Sequence, residues 1–145
     1  MEDILILAID IGNTNIVVGC IRGDEVLFTE RLSTNTTHTT LEYAISFKNV
    51  LEIYQIDAKE IEGAIISSVV PPITNVIRDS IHKITDAEVL IVGPGVKTGL
   101  NILMDDPRQV GSDRIVNAVA VVHEYPVPAV IIDMGTATTI CVVDE

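Results

Sequence analysis

Tryptophan is absent from the 145 residues, and two Phe and three Tyr are the only aromatic side chains besides histidine. Platforms on which single-stranded nucleic acid could stack have little to be built from. Cations are scarce too: nine Lys and Arg stand against 21 Asp and Glu, a formal net charge of −12. That balance argues against nucleic acid and anionic membranes as partners. The two cysteines, Cys20 and Cys141, form neither a disulfide framework nor a metal-binding pair. Each lies in an apolar strand-like run and reads as a small buried hydrophobe. No apolar run approaches the roughly 18 residues that span a bilayer. The N-terminus is acidic (Glu2, Asp3) and its apolar run ends at Asp10, so no signal peptide is expected. A cytoplasmic location is expected.

What the chain does have is apolar bulk, 48% of all residues. That suffices for a globular domain with a core. Ile4–Ile9, Ile16–Ile21 and Val26–Leu32 read as three sequential strands, with a hairpin turn at Arg22-Gly23-Asp24-Glu25. A polar loop, Ser33–Thr40, leads to a helix from about Thr39 or Thr40 to Tyr54, with Leu41, Ala44, Ile45, Leu51 and Tyr54 on one face. Gly63–Val70 is a strand stopped by Pro71-Pro72. Pro72 suits the first position of a helix with Ile73, Val76, Ile77, Ser80, Ile81 and Ile84 on its apolar face. Glu88–Val92 is a strand, residues 93–99 a loop, and Leu100–Met104 an extended segment. A helix from about Ser112 to Glu124 buries Ile115, Val119 and Val122. Ala129–Asp133 opens another strand. Three meandering strands followed by alternating strands and helices give an α/β fold with a mixed sheet flanked by helices.

One phrase is written twice. Ala8-Ile9-Asp10-Ile11-Gly12-Asn13-Thr14-Asn15-Ile16-Val17 and Ile131-Ile132-Asp133-Met134-Gly135-Thr136-Ala137-Thr138-Thr139-Ile140 both run apolar strand, Asp, Gly, polar turn, apolar strand. Glycine serves where φ is positive or where another group approaches the backbone closely. The polar turn offers N–H groups and hydroxyls to a phosphate, and Asp offers an oxygen to a hard cation such as Mg²⁺. A single Asp-x-Gly is an ordinary turn; two copies in the same strand context favour a nucleotide site. Between them lies Gly111-Ser112-Asp113-Arg114. Ser112 reads as an N-cap, with Asp113 and Arg114 in the first helical turn. Asp113 there either complements the helix dipole or takes a hydroxyl proton during phosphoryl transfer. Arg114 either is solvated or grips a carboxylate with paired hydrogen bonds. Lys97, His38, His82 and His123 read as ordinary surface or helix residues. Asp105-Asp106 and the Asp57/Glu60 pair read as solvated.

Asp10-Ile11-Gly12-Asn13-Thr14, Ser67-Ser68-Val69-Val70-Pro71-Pro72, Gly93-Pro94-Gly95, Asp106-Pro107, Gly111-Ser112-Asp113-Arg114 and Asp133-Met134-Gly135-Thr136-Ala137-Thr138-Thr139 together resemble type III pantothenate kinase, in order and over the whole chain. The resemblance implies a ribonuclease H-like domain of the actin, hexokinase and Hsp70 superfamily over residues 1–126, with residues 127–145 the first hairpin of a second such domain. It implies ATP-dependent phosphorylation of pantothenate, the first step toward coenzyme A, by a homodimer that needs Mg²⁺ and K⁺ or NH₄⁺. By motif, residues Asp10 through Val17 (Asp10, Ile11, Gly12, Asn13, Thr14, Asn15, Ile16, Val17) form the first phosphate segment, with Asp10 near Mg²⁺ and Thr136 a further nucleotide contact. Gly111, Ser112, Asp113 and Arg114 form the substrate segment, Asp113 being the proton acceptor. Asp133 holds the monovalent cation. The family more often has Ala at Ser112, and commonly a pantothenate-contacting Tyr where this chain has Met104.

The chain resembles the N-terminal portion of a longer protein. On its own it is expected to have little kinase activity, with Ile131, Ile132, Ile140, Val142 and Val143 exposed on a loose hairpin. Two other readings stay open: another small-molecule kinase or phosphatase of the superfamily, and a non-catalytic relative resembling the Bvg accessory factor.

Overall fold

The computed structural model describes residues 4–145. Glu2 and Asp3, used above to argue against a signal peptide, lie outside the described residues. Contacts divide the chain into two compact units, the first ending at Ile91 and the second running from Val92 to Glu145.

In the first unit, β1 (Leu5–Ile11), β2 (Asn15–Arg22) and β3 (Glu25–Ser33) form the expected meander. Gly23 turns between β2 and β3 at φ 57°, a backbone region that glycine enters without penalty. The chain then forms α1 (Thr40–Ile53), β4 (Gly63–Ser68), α2 (Pro71–Ile81) and β5 (Glu88–Ile91). The sheet order is β3-β2-β1-β4-β5. β1 pairs antiparallel with β2 and parallel with β4, and β4 pairs parallel with β5. The result is a five-stranded mixed sheet, as expected. Leu5, Leu7, Ile9 and Ile11 alternate into the core, where they meet Ala64 and Ile66 of β4 and the buried sides of α1 and α2.

Local chemistry sets the helix boundaries. Thr39 caps α1 in a reciprocal box: Glu42 N–H donates to Thr39 Oγ1, and Thr39 N–H donates to Glu42 Oε2 at 2.7 Å. The buried face of α1 is in part the one expected, since Ala44 and Leu51 are buried, but Tyr54 is exposed. Tyr43, Ala44, Phe47, Val50 and Leu51 are buried, whereas Leu41 is 59% exposed and Ile45 50% exposed. The bulkier aromatics Tyr43 and Phe47 take the core and turn the aliphatic pair outward. α2 opens at Pro71, so Pro72 is its second residue; its inward face of Ile73, Ile77, Ser80 and Ile81 is as expected. β4 stops at Ser68, two residues early, and Leu100–Met104 contains no strand.

The second unit holds α3 (Ser112–Glu124), β6 (Ala129–Met134) and β7 (Thr138–Val143). β6 and β7 form a two-stranded antiparallel sheet, and α3 packs on both strands. α3 and this hairpin fall in the same compact unit, which begins at Val92. The helix also changes the exposure pattern. Val143 is buried and Ile131 half-buried, against expectation, while Val130, Ile132, Met134, Ile140 and Val142 form an outward apolar row. In α3 itself, Ile115 and Val119 are half-buried and Val122 is exposed, so the expected apolar face is not fully covered.

Two outcomes test these assignments by urea denaturation. Phe47→Ala is expected to cost about 3–5 kcal/mol, and Leu41→Ala less than about 0.5 kcal/mol, as surface changes do. The expected face of α1 would give the reverse order. Hydrogen bonds from the Thr39 backbone and hydroxyl hold the Glu42 carboxyl below its ordinary range. A lowered value means that this contribution is present above the ordinary glutamate range and is lost as pH falls. The stability gap between wild type and Glu42→Gln should therefore shrink on acidification.

Candidate functional site

The first turn sits at the end of the central strand. Asp10 is exposed, in register with Val17 on β2 and Ser67 on β4. Gly12 N–H donates to Asn15 O at 2.9 Å, closing the turn. A Cβ at Gly12 would stand 3.0 Å from that same oxygen, while Gly12 is not among the positive-φ residues. Close approach, rather than a left-handed backbone, therefore requires glycine here. Asn13 and Thr14 are exposed at the tip, where hydroxyl, amide and N–H groups can meet an anion. Ile11 and Ile16 are fully buried, so of the expected phosphate segment they can offer only backbone; Val17 and Asn15 are half-buried.

Residues missed by the sequence reading brace this turn. Thr34 Oγ1 donates to Gly12 O at 2.6 Å, and Thr34 N–H donates to Thr14 O at 2.9 Å. One residue on, Asn35 N–H donates to the Tyr43 hydroxyl at 3.0 Å, and that hydroxyl donates to Asn35 O at 2.8 Å. A buried tyrosine of α1 thus anchors the loop that holds the turn. A Thr-rich loop looks like plain connector in sequence, and only its fold-back onto Gly12 gives it this role. Ser67 is also buried, and its Oγ has no hydrogen-bond partner among the described residues.

The second turn repeats the first with one change. Three residues, Gly135–Ala137, separate the strands, and Gly135 N–H donates to Ala137 O at 3.2 Å. Met134 pairs with Thr138, whereas Ile11 pairs with Ile16, the residue one step further on in the repeat. The offset puts Thr139 beside Asp133, where the first copy puts Val17 beside Asp10. Asp133 is half-buried, and Thr136 is exposed at the tip.

Gly111, not Ser112, is the N-cap of α3, and it makes no side-chain capping bond. Ser112 is the first helical residue, and its Oγ donates to Val92 O at 3.1 Å, a tether to the start of the loop. Asp113 and Arg114 still occupy the first turn, as expected. Asp113 Oδ1 accepts from Arg114 N–H at 2.8 Å, which fixes the carboxylate at the helix N-terminus, where an anion complements the dipole. Arg114 Nε donates to Cys141 Sγ at 3.0 Å. Cys141 is thus half-buried and engaged rather than an inert hydrophobe, while Cys20 is fully buried and its thiol is pushed up by burial. Three residues after Arg114, Asn117 Nδ2 donates to Asp133 Oδ2 at 3.2 Å. In the second unit the substrate-type segment and the second Asp-Gly turn are therefore joined through one helix.

Of the expected solvated acids, Asp106 has a specific role. It accepts from Arg108 N–H and Arg108 Nε and from Gln109 Nε2, capping the short 3₁₀ turn Pro107–Gln109. The Arg108 guanidinium, with help from Gln109, holds its carboxyl below the usual range. Met104 is exposed in the preceding loop. Among the described residues no three His, Cys, Asp or Glu side chains cluster as a metal cage.

The family model described as type III pantothenate kinase matches residues 6–145. Type III pantothenate kinases of Brevibacillus brevis and a Geobacillus species are each 48% identical to the chain over 141 residues, covering 97% of it and 55% of their own length. That of an Exiguobacterium species is 46% identical, covering 97% and 56%. The chain thus spans about half the length of the curated relatives it matches. A solved Bacteroides thetaiotaomicron protein with an actin-like ATPase fold overlaps 63% of the chain and 34% of itself, at 9% identity and a TM-score of 0.49. With the matched segment running from β1 past the end of the second hairpin, the chain belongs to the type III pantothenate kinase family.

Proposed function

We propose that this chain carries the first phosphate turn, the proton acceptor and the second phosphate turn of an enzyme that phosphorylates pantothenate with ATP. Family membership supports this reading. The observation that carries it is Asp113, held at the N-terminus of α3 by its hydrogen bond to Arg114 N–H, in the same compact unit as Asp133. In the proposed step the primary hydroxyl of pantothenate gives its proton to Asp113. Its oxygen forms a bond to the γ-phosphorus, the bond from that phosphorus to the β–γ bridging oxygen breaks, and ADP leaves. Such transfers need positioning and charge stabilisation more than covalent help.

Gly111 and Ser112 would shape the approach to Asp113, and the remaining guanidinium donors of Arg114 would face the pantothenate carboxylate. The amides of residues 11–17 and Thr136 would contact the nucleotide phosphates. Exposed Asp10 fits Mg²⁺, because that ion is commonly held by one or two carboxylates plus substrate phosphates rather than by an all-protein cage. Half-buried Asp133 offers the hard oxygen that K⁺ or NH₄⁺ takes. These cations supply neutralisation of phosphate charge when bound. The reading also has the enzyme act as a cytoplasmic homodimer without nucleic-acid or membrane partners. The acidic net charge weighs against nucleic-acid and anionic-membrane partners, and no helix among the described residues is long and apolar enough to cross a membrane.

In a full-length version of the protein, Asp113→Asn keeps the shape and removes the base. Its kcat is expected to fall by roughly 10²–10⁴-fold with ATP affinity, measured by calorimetry, little changed; near wild-type turnover would refute the assignment. Gly12→Val should abolish ATP binding while circular dichroism shows the sheet intact, because its Cβ would stand 3.0 Å from Asn15 O and its branched side chain would fill space needed by phosphate. Unchanged ATP affinity would make the first turn a plain hairpin.

A further inference from the structure

Asn117 belongs to no motif that the sequence brings forward, yet it makes a side-chain hydrogen bond to the repeated aspartate of the second turn. Its Nδ2 lies 3.2 Å from Asp133 Oδ2, and both residues are half-buried. A carboxylate only accepts, so the amide nitrogen must be the atom that faces it. Asn117 and Asp133 are also the polar members of a cavity of about 380 Å³ otherwise lined by Ala120, Val121, Ile131, Ile132 and Met134. Arg114, one turn earlier on the helix, is directed at Cys141 on β7 instead.

We propose that Asn117 is the positioning residue for Asp133, pinning one carboxylate oxygen so that the group stays aimed at a monovalent cation. The inference rests on the reading of Asp133 as the cation ligand. The terminal torsion of Asp is broad and nearly two-fold, so an untethered carboxylate would rotate. An amide stops that rotation and adds no charge. A lysine or arginine in its place would pair with Asp133 and compete with the cation. The near end of α3 carries Asp113, so the same helix sets the proton acceptor and the cation ligand relative to each other within this unit.

The test compares, in a full-length version of the protein, wild type, Asn117→Ala, Asn117→Leu and Asp133→Asn. Pantothenate phosphorylation and melting temperature are both measured across a KCl series balanced with choline chloride at constant ionic strength. Both Asn117 variants are expected to need about tenfold more KCl for half-maximal effect in each measurement, as loss of a hydrogen bond to a charged group implies. Their kcat should recover at saturating KCl, and their melting temperature without KCl should stay near wild type. Asp133→Asn should be flat in both measurements. An unchanged KCl midpoint in the Asn117 variants, beside a flat Asp133→Asn, would make Asn117 merely structural and overturn the proposal alone. A normal KCl response in Asp133→Asn would overturn the cation reading and this inference together. The two variants differ in volume, so a packing defect in one does not mask the result; loss of fold in both would assign Asn117 a structural role and overturn the proposal.

Discussion

β1 has a partner on both edges, and the geometry of the first unit follows from that constraint. A strand paired antiparallel on one side and parallel on the other has its backbone groups satisfied by the ladder, and its side chains are forced to alternate. Leu5, Leu7, Ile9 and Ile11 take the core; Ile6, Ala8 and Asp10 take the other face. Slipping the register by one residue would bury Asp10 and expose four large aliphatics. The hydrophobic demand of the core is thus what delivers a carboxylate to the mouth of the turn. Thr34 then fixes the turn from the side, and Tyr43 fixes Thr34's loop.

The second unit depends on a helix instead. A two-stranded sheet is marginal by itself, and β6–β7 gains its support on one face from α3. Polar contacts carry part of that packing: Arg114 reaches β7 through Cys141, and Asn117 reaches β6 through Asp133. This explains why Val143 is covered while the outward row from Val130 to Val142 is not. It also explains why the units divide ahead of α3.

Strands and helices were legible because their periodicities are strong. Continuous Ile/Val runs gave β1, β2 and β4, and Pro71-Pro72 gave the start of α2 to within a residue. On α1, Ala44 and Leu51 are buried as expected, but Leu41 and Ile45 satisfy a helical period as well as Tyr43 and Phe47 do. Volume, which periodicity ignores, decided between them. Asp10, Asp113 and Asp133 stood out through repetition and loop context. Thr34, Tyr43, Asn117 and the sulfur of Cys141 did not, because each acts on a residue distant in sequence. Ser112 was misread as a cap because a serine ahead of an acidic turn carries the same local signal whether its hydroxyl turns back on its helix or crosses to Val92.

The one-residue register offset between the two hairpins makes them non-interchangeable cassettes. Drawing Thr138 into the second turn, so that four residues, Gly135–Thr138, lie between the paired positions, would restore the register of the first copy. Ile140 would then take the place of Thr139 beside Asp133, and a hydroxyl would be exchanged for a hydrocarbon next to a half-buried carboxylate. If the two halves descend from one duplicated hairpin, a single-residue length change was enough to give the copies different neighbourhoods, one apolar at Val17 and one polar at Thr139. Divergence of that kind alters loop length before it alters any motif residue, so it leaves the repeated phrase intact while changing what each copy can hold.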